Sequence, residues 1–299
     1  MKFLKYLGYG LGTVLALLAL LFSAAFVVSN AKLNRKYAVV VTAPAVPRDA
    51  ASIARGAHIA QTRGCVDCHG QDLGGATVFN NGAMGRVDGP NLTRGTGGLG
   101  ASLTDADYVR AIRHGVAPDG RGLFLMPSAD YAAFTSEDMA DLIAYLKSVP
   151  PVNRRNGPVA LGPVARVLLA VGQIRLAAEI IDHSHVAPAT VTPGPTAEYG
   201  RYLAAGCTGC HGDNFSGGKI KAGPPDWPPA ANLTPGAPGG ITTWTEADFV
   251  RALRTFKRPD GSAINAVMPR DFAHFDDVEI EALYRFLKTL PAAATGSHN

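Results

Sequence analysis

An unbroken apolar stretch is the strongest pattern in the chain: the 26 residues from Tyr6 to Ala31 carry no charge and are rich in Leu, Val and Ala. That exceeds the roughly 20 apolar residues a helix needs to cross a bilayer. Residues 1–36 therefore read as an N-terminal membrane anchor with its flanks, followed by a linker over 37–47. A cleaved signal peptide competes, since Ser29-Asn30-Ala31 offers small residues for cleavage, but its apolar region ordinarily runs only about 7–15 residues. Both readings export the remainder of the chain. Beyond the linker the apolar spacing is helical and short. Thr104 and Thr245 stand as N-caps, each with an acid three residues on (Asp107, Asp248), the capping-box arrangement. Ser136 is expected to cap a helix whose Met139, Leu142, Ile143, Leu146 and Val149 share one face, and Pro150-Pro151 end it. Leu283, Phe286, Leu287 and Leu290 repeat that face before Pro291. No run of alternating apolar and polar residues stands out, so the expected fold class is all-α.

Slid against itself by about 141 residues, the sequence matches in order. Cys65-Val66-Asp67-Cys68-His69 falls on Cys207-Thr208-Gly209-Cys210-His211, Asn91-Leu92-Thr93 on Asn232-Leu233-Thr234, and Asp107-Tyr108-Val109-Arg110-Ala111 on Asp248-Phe249-Val250-Arg251-Ala252. Pro118-Asp119-Gly120 falls on Pro259-Asp260-Gly261, and Met126-Pro127 on Met268-Pro269. This predicts two tandem domains, at 48–150 and 196–291, with an interdomain linker over 151–195 and a tail over 292–299. Within the linker, Val164 to Ile181 has helical character, but Arg166, Arg175 and Glu179 make it too charged for a second span. It reads as one helix lying across one or both domains, with His183 and His185 as solvent-exposed linker histidines.

Composition adds one exclusion. The formal net charge is +4, but Lys2, Lys5, Lys32, Arg35 and Lys36 all flank the apolar stretch, and no acid precedes Asp49. With those five set aside, 23 basic residues face 24 acidic ones. A nucleic-acid binder carries positive charge on its folded body, so that class is set aside.

The chemistry lies in the two Cys-x-x-Cys-His motifs, the signature of covalent c-type haem attachment. Two thiols one helical turn apart reach the two vinyl groups on one porphyrin edge, and the adjacent imidazole then lies under the ring and binds iron. A zinc site wants four ligands from paired motifs, yet these motifs lie 142 residues apart in separate copies. A thioredoxin-like pair expects a βαβ context. The expected cofactors are two covalently bound haem c groups: Cys65, Cys68, Cys207 and Cys210 attach them, and His69 and His211 are axial ligands. The sixth ligands are Met126 and Met268, each 57 residues after its histidine and each followed by Pro. Core filling is the commoner use of methionine, but an identical spacing in both copies points to ligation, which raises haem potential. Met84 is the rival in the first copy. His58, His114 and His274 have no partner in the other copy and read as surface residues. Gly70 and Gly212 allow a tight backbone path beside the ring. Arg113 and Arg254 suit haem propionates or a solvated helix face. The repeated Asn-Leu-Thr fits a glycosylation acceptor or, given its recurrence, a structural turn.

These residues carry a family likeness. Each copy resembles a class I c-type cytochrome domain, by its CxxCH, its Met-Pro loop and its aromatic-bearing last helix. The pattern is more closely similar to the multihaem cytochrome c subunits of bacterial membrane-bound alcohol, gluconate and aldehyde dehydrogenases. Arg55-Gly56 ahead of the haem motif, Asn-Leu-Thr, Thr-x-x-Asp-[Tyr/Phe]-Val-Arg-Ala-[Ile/Leu]-Arg and Asp-Gly followed by Met-Pro carry that likeness. Those subunits often hold three haems, whereas this chain has motifs for two. The resemblance implies two cytochrome c class I-like domains, with Gly56 and Tyr145, and likewise Gly200 and Phe286, where first and last helices cross. It implies a carrier passing electrons between a periplasmic or membrane dehydrogenase and a respiratory acceptor, with a dehydrogenase, small cytochrome or terminal oxidase as redox partners. It also implies attachment of haem outside the cytoplasm, hence a single-pass protein of the bacterial inner membrane with periplasmic haem domains. If both irons have two protein ligands, no position is open for substrate, and the chain is expected not to be an enzyme. The alternative is a dihaem peroxidase or sulfur-compound oxidoreductase with one exchangeable axial site.

Overall fold

The structure, a computed structural model, describes residues 2–220, 223–224, 226–236 and 240–297. The chain begins with one long helix, α1 (Lys2–Asn34). Its segment Phe3–Asn34 is long and apolar enough to cross a membrane, and its most apolar window is wholly unburied. The first domain comes next, with α2 (Ala50–Thr62), α3 (Cys65–His69), β1 (Thr77–Asn81), β2 (Gly85–Asp88), α4 (Asp105–His114), α5 (Ser128–Tyr131) and α6 (Ser136–Ser148). The linker holds β3 (Ala160–Leu161), α7 (Pro163–Ala170) and α8 (Ala177–Ile180). The second domain has α9 (Ala197–Leu203), a 3-10 turn (Ala204–Cys207), α10 (Thr208–His211), α11 (Glu246–Thr255), a second 3-10 turn (Arg270–His274) and α12 (Asp277–Thr289).

Both domains are built on the same crossing. The first helix packs on the last, α2 on α6 and α9 on α12. Neither pair could approach so closely with a side chain between them. A Cβ on Gly56 would lie 2.0 Å from the Asp141 carbonyl oxygen and 2.8 Å from Tyr145 Cβ. On Gly200 it would lie 1.9 Å from the Ala282 oxygen and 2.8 Å from Phe286 Cβ. The face expected for α6 is the core of the first domain, where Met139, Leu142, Ile143 and Leu146 join Tyr108, Val109 and Ile112 of α4. Leu283, Phe286 and Leu287 do the same against Phe249 and Leu253. The capping boxes at Thr104/Asp107 and Thr245/Asp248 are formed. At α6 the cap is Thr135, not Ser136: Thr135 is extended, and its hydroxyl accepts the Asp138 N–H.

Three other expectations are corrected. The chain is mostly helical but not all-α: β1 and β2 form an antiparallel hairpin, and β3 from the linker adds a third strand in the order β1-β2-β3. The strands are too short for alternation to register, and the one legible cue was Asn81-Gly82 at the turn, where Asn81 Oδ1 accepts the Met84 N–H at 2.7 Å. The linker helix is broken at Gly172 (φ 79°); α7 packs on α1, and α8 packs on α5. The histidines also move. His114 is buried, with Nδ1 3.1 Å from His183 Nδ1, so His183 is half-buried rather than exposed. Burial and the neighbouring His183 and Arg113 lower His114 to about 4. His274 is exposed as expected.

His58 is partly exposed but not a free surface residue, because it bridges the two domains. Its Nε2 lies 2.8 Å from Oε2 of the buried Glu279. That partner raises the His58 pKa against the opposing effect of burial. A raised folded pKa means that the pair contributes its full stability below the ordinary imidazole value of about 6.5 and loses it as pH rises through the folded value. His58→Gln is therefore expected to destabilise the protein most at pH below about 6.5 and progressively less above it. Thermal midpoints of the two proteins compared across pH check this; a gap that stays constant would be contrary.

Candidate haem sites

Each CxxCH motif occupies one helical turn, which sets its two thiols on one side and its histidine directly after them. The histidine is followed by Gly70 or Gly212, both at φ 78°, a conformation that costs a residue with Cβ and is free to glycine. The chain then folds back under the imidazole in the same way twice. Gly75 N–H donates to the His69 carbonyl and Gly217 N–H to the His211 carbonyl, at 2.6 and 2.9 Å. Leu73 and Phe215, each four residues past its histidine, both take positive φ, 53° and 59°.

The imidazoles are oriented by the backbone. Nδ1 lies 2.9 Å from the Pro90 carbonyl in His69 and 2.7 Å from the Ala231 carbonyl in His211. With Nδ1–H donated, Nε2 is the free lone pair, and it has no protein partner among the described residues. Burial holds both imidazoles below the ordinary histidine range, so the ligand form, neutral imidazole, prevails at pH 7. The thiols differ from those of a redox pair. Burial pushes Cys65 up to about 12 and Cys207 up to about 11, whereas thiol–disulfide catalysts lower theirs. All four cysteines are free of disulfides.

The structure brings the predicted ligands of the second domain together. In the second domain a cavity of about 530 Å³ is lined by Cys207, His211 and Met268, with Trp244, Phe249 and Leu253 among its apolar walls. Its size is that of a pocket for a sizeable small molecule. In the first domain Met126 and Cys65 pack against one core cluster, as Met268 and Cys207 do in the second. Met84 is elsewhere, beside the hairpin turn, its carbonyl accepting the Gly162 N–H of the linker. A haem c group fits this donor set: two adjacent thiols, an imidazole with its outer nitrogen tied, a thioether and an apolar cavity between.

Other predicted residues have different work. Arg113 donates to the Phe134 carbonyl at 2.6 Å. Arg254 donates to the Ala273 carbonyl and pairs with Asp277. Both arginines thus tie the end of one helix to the loop entering the last, and neither forms a solvated face alone. Asn91 and Asn232 are buried turn residues. Each accepts from the N–H and hydroxyl of the Thr two residues on, at 2.7–2.9 Å. Each also donates to the segment after the last helix, at Val152 and Ala293. Burial excludes them as glycosylation acceptors.

Sequence reasoning missed the residues between the motifs. Arg63 donates to the Leu203 carbonyl at 2.7 Å and lies 5.6–5.8 Å from the rings of Phe134, Tyr202 and Phe275. It thus joins the approach to one haem motif to the approach to the other. The segments after the two methionines cross reciprocally: α5 packs on the turn holding Cys207, and the turn Arg270–His274 packs on α2. Asp130 and Asp271 ride on these segments. Burial pushes Asp130 up to about 6; burial and the adjacent Asp67 carboxyl push Asp271 up to about 7. Arg63 aligns with Ala205, so comparing the copies discarded it.

Residues 53–150 and 197–291 match the family described as Cytochrome c. Among curated proteins, the chain is 28% identical over 270 residues to the fructose dehydrogenase cytochrome subunit of Gluconobacter japonicus, covering 81% of this chain and 53% of that one. It is 30% identical over 275 residues to the gluconate 2-dehydrogenase cytochrome c subunit of Pantoea cypripedii, covering 81% and 60%. A diheme cytochrome c-type protein of Cereibacter sphaeroides is 28% identical over 265 residues, with 80% and 86% covered. The chain thus spans between half and two thirds of the length of the two dehydrogenase subunits.

Proposed function

We propose, from the premise that the chain belongs to the cytochrome c family, that it is a membrane-anchored dihaem electron carrier serving a dehydrogenase. One observation carries this: His211 and Met268 line the same apolar cavity beside Cys207; in the first domain Met126 and Cys65 pack on one core cluster, and a backbone carbonyl holds the His69 imidazole as one holds His211. Cys65, Cys68, Cys207 and Cys210 would hold two haem c groups through thioethers. His69 and His211 would offer Nε2 to iron, and Met126 and Met268 their sulfurs. When bound, each haem supplies a one-electron iron centre. The protein's own part is to hold each ligand in place and exclude water. The Pro90 and Ala231 carbonyls fix the imidazole planes. The aromatic and aliphatic walls keep water from the second centre, and a dry site with a thioether ligand favours a high potential.

The dehydrogenase partner is supported by the relatives, whose names make them cytochrome subunits of fructose and gluconate dehydrogenases. The length and apolarity of α1 support a membrane anchor, and the two CxxCH motifs, to which haem is joined outside the cytoplasm, support placing both haem domains on the periplasmic side. The full chain, purified with its cofactor, is expected to show the mass of two haems, two low-spin ferric signals and the sulfur-to-iron charge-transfer band at both centres. A single haem, or one high-spin centre with peroxidase turnover, would instead favour the dihaem enzyme.

A further inference from the structure

The linker helix α7 is the part of the molecule that the haem sites do not use. It lies along the end of α1: Arg166 stacks 4.2 Å above the Phe26 ring and donates to Ser29 Oγ at 3.2 Å. Lys32 Nζ donates to the Leu169 carbonyl at 2.9 Å. The order of these contacts means that α7 runs in the same sense as α1, so its N-terminal end is the end nearer the apolar stretch. That end carries more than the helix. Gly162 and Val164 N–H groups donate to the Met84 and Ala83 carbonyls at 2.9 and 3.0 Å, which fastens the β1–β2 hairpin to it.

Lengths fix the level at which this assembly sits. From Tyr6, where the uncharged stretch begins, to Ala25, just before the Phe26 ring that Arg166 covers, α1 has 20 residues. At 1.5 Å each they span about 30 Å, against a hydrocarbon core of roughly 30 Å. The end of α7 is therefore at the outer edge of that core. Its surface fits that place. Val164, Val167 and Val171 are 45%, 37% and 66% exposed, an apolar row at helical spacing on a helix whose other side rests on α1. The two segments that meet here, residues 26–48 and 157–178, hold Lys32, Arg35, Lys36, Arg48, Arg166 and Arg175 and no acidic residue; of these Lys36 is paired with Asp119 from the first domain. Positive charge beside an apolar row matches an anionic phospholipid surface.

We infer that the first turn of α7, with the hairpin turn bonded to it, seats in the headgroup layer of the same bilayer that α1 enters, as a second membrane contact. This rests on the anchoring reading above. The seat would hold the first domain against the membrane through β1–β2 and α8 rather than leave it on a free tether.

The test uses the full haem-loaded protein in vesicles of phosphatidylcholine and phosphatidylglycerol, with a cysteine introduced singly and carrying a polarity-sensitive fluorophore. Three sites serve: Leu15→Cys in α1, Val164→Cys, and Ser262→Cys on an exposed loop of the second domain. Lipid-borne nitroxide is expected to quench most of the emission at Leu15 and Val164, both blue-shifted, and to leave Ser262 unquenched. Quenching at Leu15 with none at Val164 overturns the inference while leaving the anchor intact. Equal quenching at Ser262 also overturns it, because contact would then be unselective. No quenching at Leu15 removes both readings.

Discussion

Met268→Ala is expected to turn the second centre high-spin, remove its sulfur-to-iron absorption band, and lower its reduction potential, while the first centre keeps both signals. The cavity explains why nothing takes over. Around it stand the side chains of Trp244, Phe249, Leu253, Phe272 and Leu283, with Asn232, Thr243, Arg258 and Asp260 as its polar lining; none of these offers iron a thioether or an imidazole-type nitrogen lone pair. The potential is expected to fall by a sizeable part of the roughly 0.8 V range that axial ligands command. Deleting the partly buried methionine also leaves a void and costs about 2 kcal/mol of stability, so the folded state is checked first by far-ultraviolet circular dichroism. Met126→Ala is expected to do the same to the first centre. Met84→Ala, on the hairpin, is expected to leave both centres as they were. A redox titration followed by visible and electron paramagnetic resonance spectra separates the variants. If Met268→Ala leaves the second potential and band intact, the sulfur ligand is misassigned and saturated coordination fails with it.

Gly200→Ala is expected to be the most damaging small substitution in the second domain. The added methyl would stand 1.9 Å from the Ala282 carbonyl oxygen and 2.8 Å from Phe286 Cβ, and the backbone oxygen has no rotamer by which to yield. Helices α9 and α12 must separate, and with them the core of Leu203, Ile280, Leu283 and Phe286. Forcing extra volume into a packed core costs roughly 3 kcal/mol or more when backbone has to move. In a protein of this size that lowers the thermal midpoint by about 10 °C. Gly56→Ala should match it in the first domain, where the Asp141 oxygen is 2.0 Å away. Gly82→Ala, with nothing within 4 Å, is the control and should leave the midpoint unchanged. Differential scanning calorimetry of the three variants decides. An unshifted midpoint in Gly200→Ala would mean that the helices do not cross where the structure puts them.

Most of what is local was legible in the chain. Caps at Thr104 and Thr245 need only residues three apart. The apolar faces of α6 and α12 need only a period. The CxxCH motifs carry their chemistry within five residues, and the duplication made the distant methionines visible by repeating one spacing twice. Recurrence in both copies likewise marks Asn91 and Asn232 as turn residues. Repetition was also what hid the rest. Arg63, His58 and Glu279 belong to the contact between the two domains: Arg63 aligns with Ala205 and so has no like residue to give it away, while Glu279 falls on Asp138 and reads from sequence only as an acid in the first turn of a helix. The pairing of His114 with His183 spans 69 residues, and β3 reaches its hairpin from the linker; neither leaves a periodic trace. The sequence by itself determined the helices, the two haem-binding motifs and the apolar N-terminal segment, because these depend on neighbours along the chain and on short-range sterics. The reciprocal crossing of the methionine loops, Arg63 between the motifs and the seating of α7 on α1 were decided only by tertiary structure. They arise when rigid pieces dock, and docking is selected by the shape and charge of whole surfaces that no short window of sequence contains.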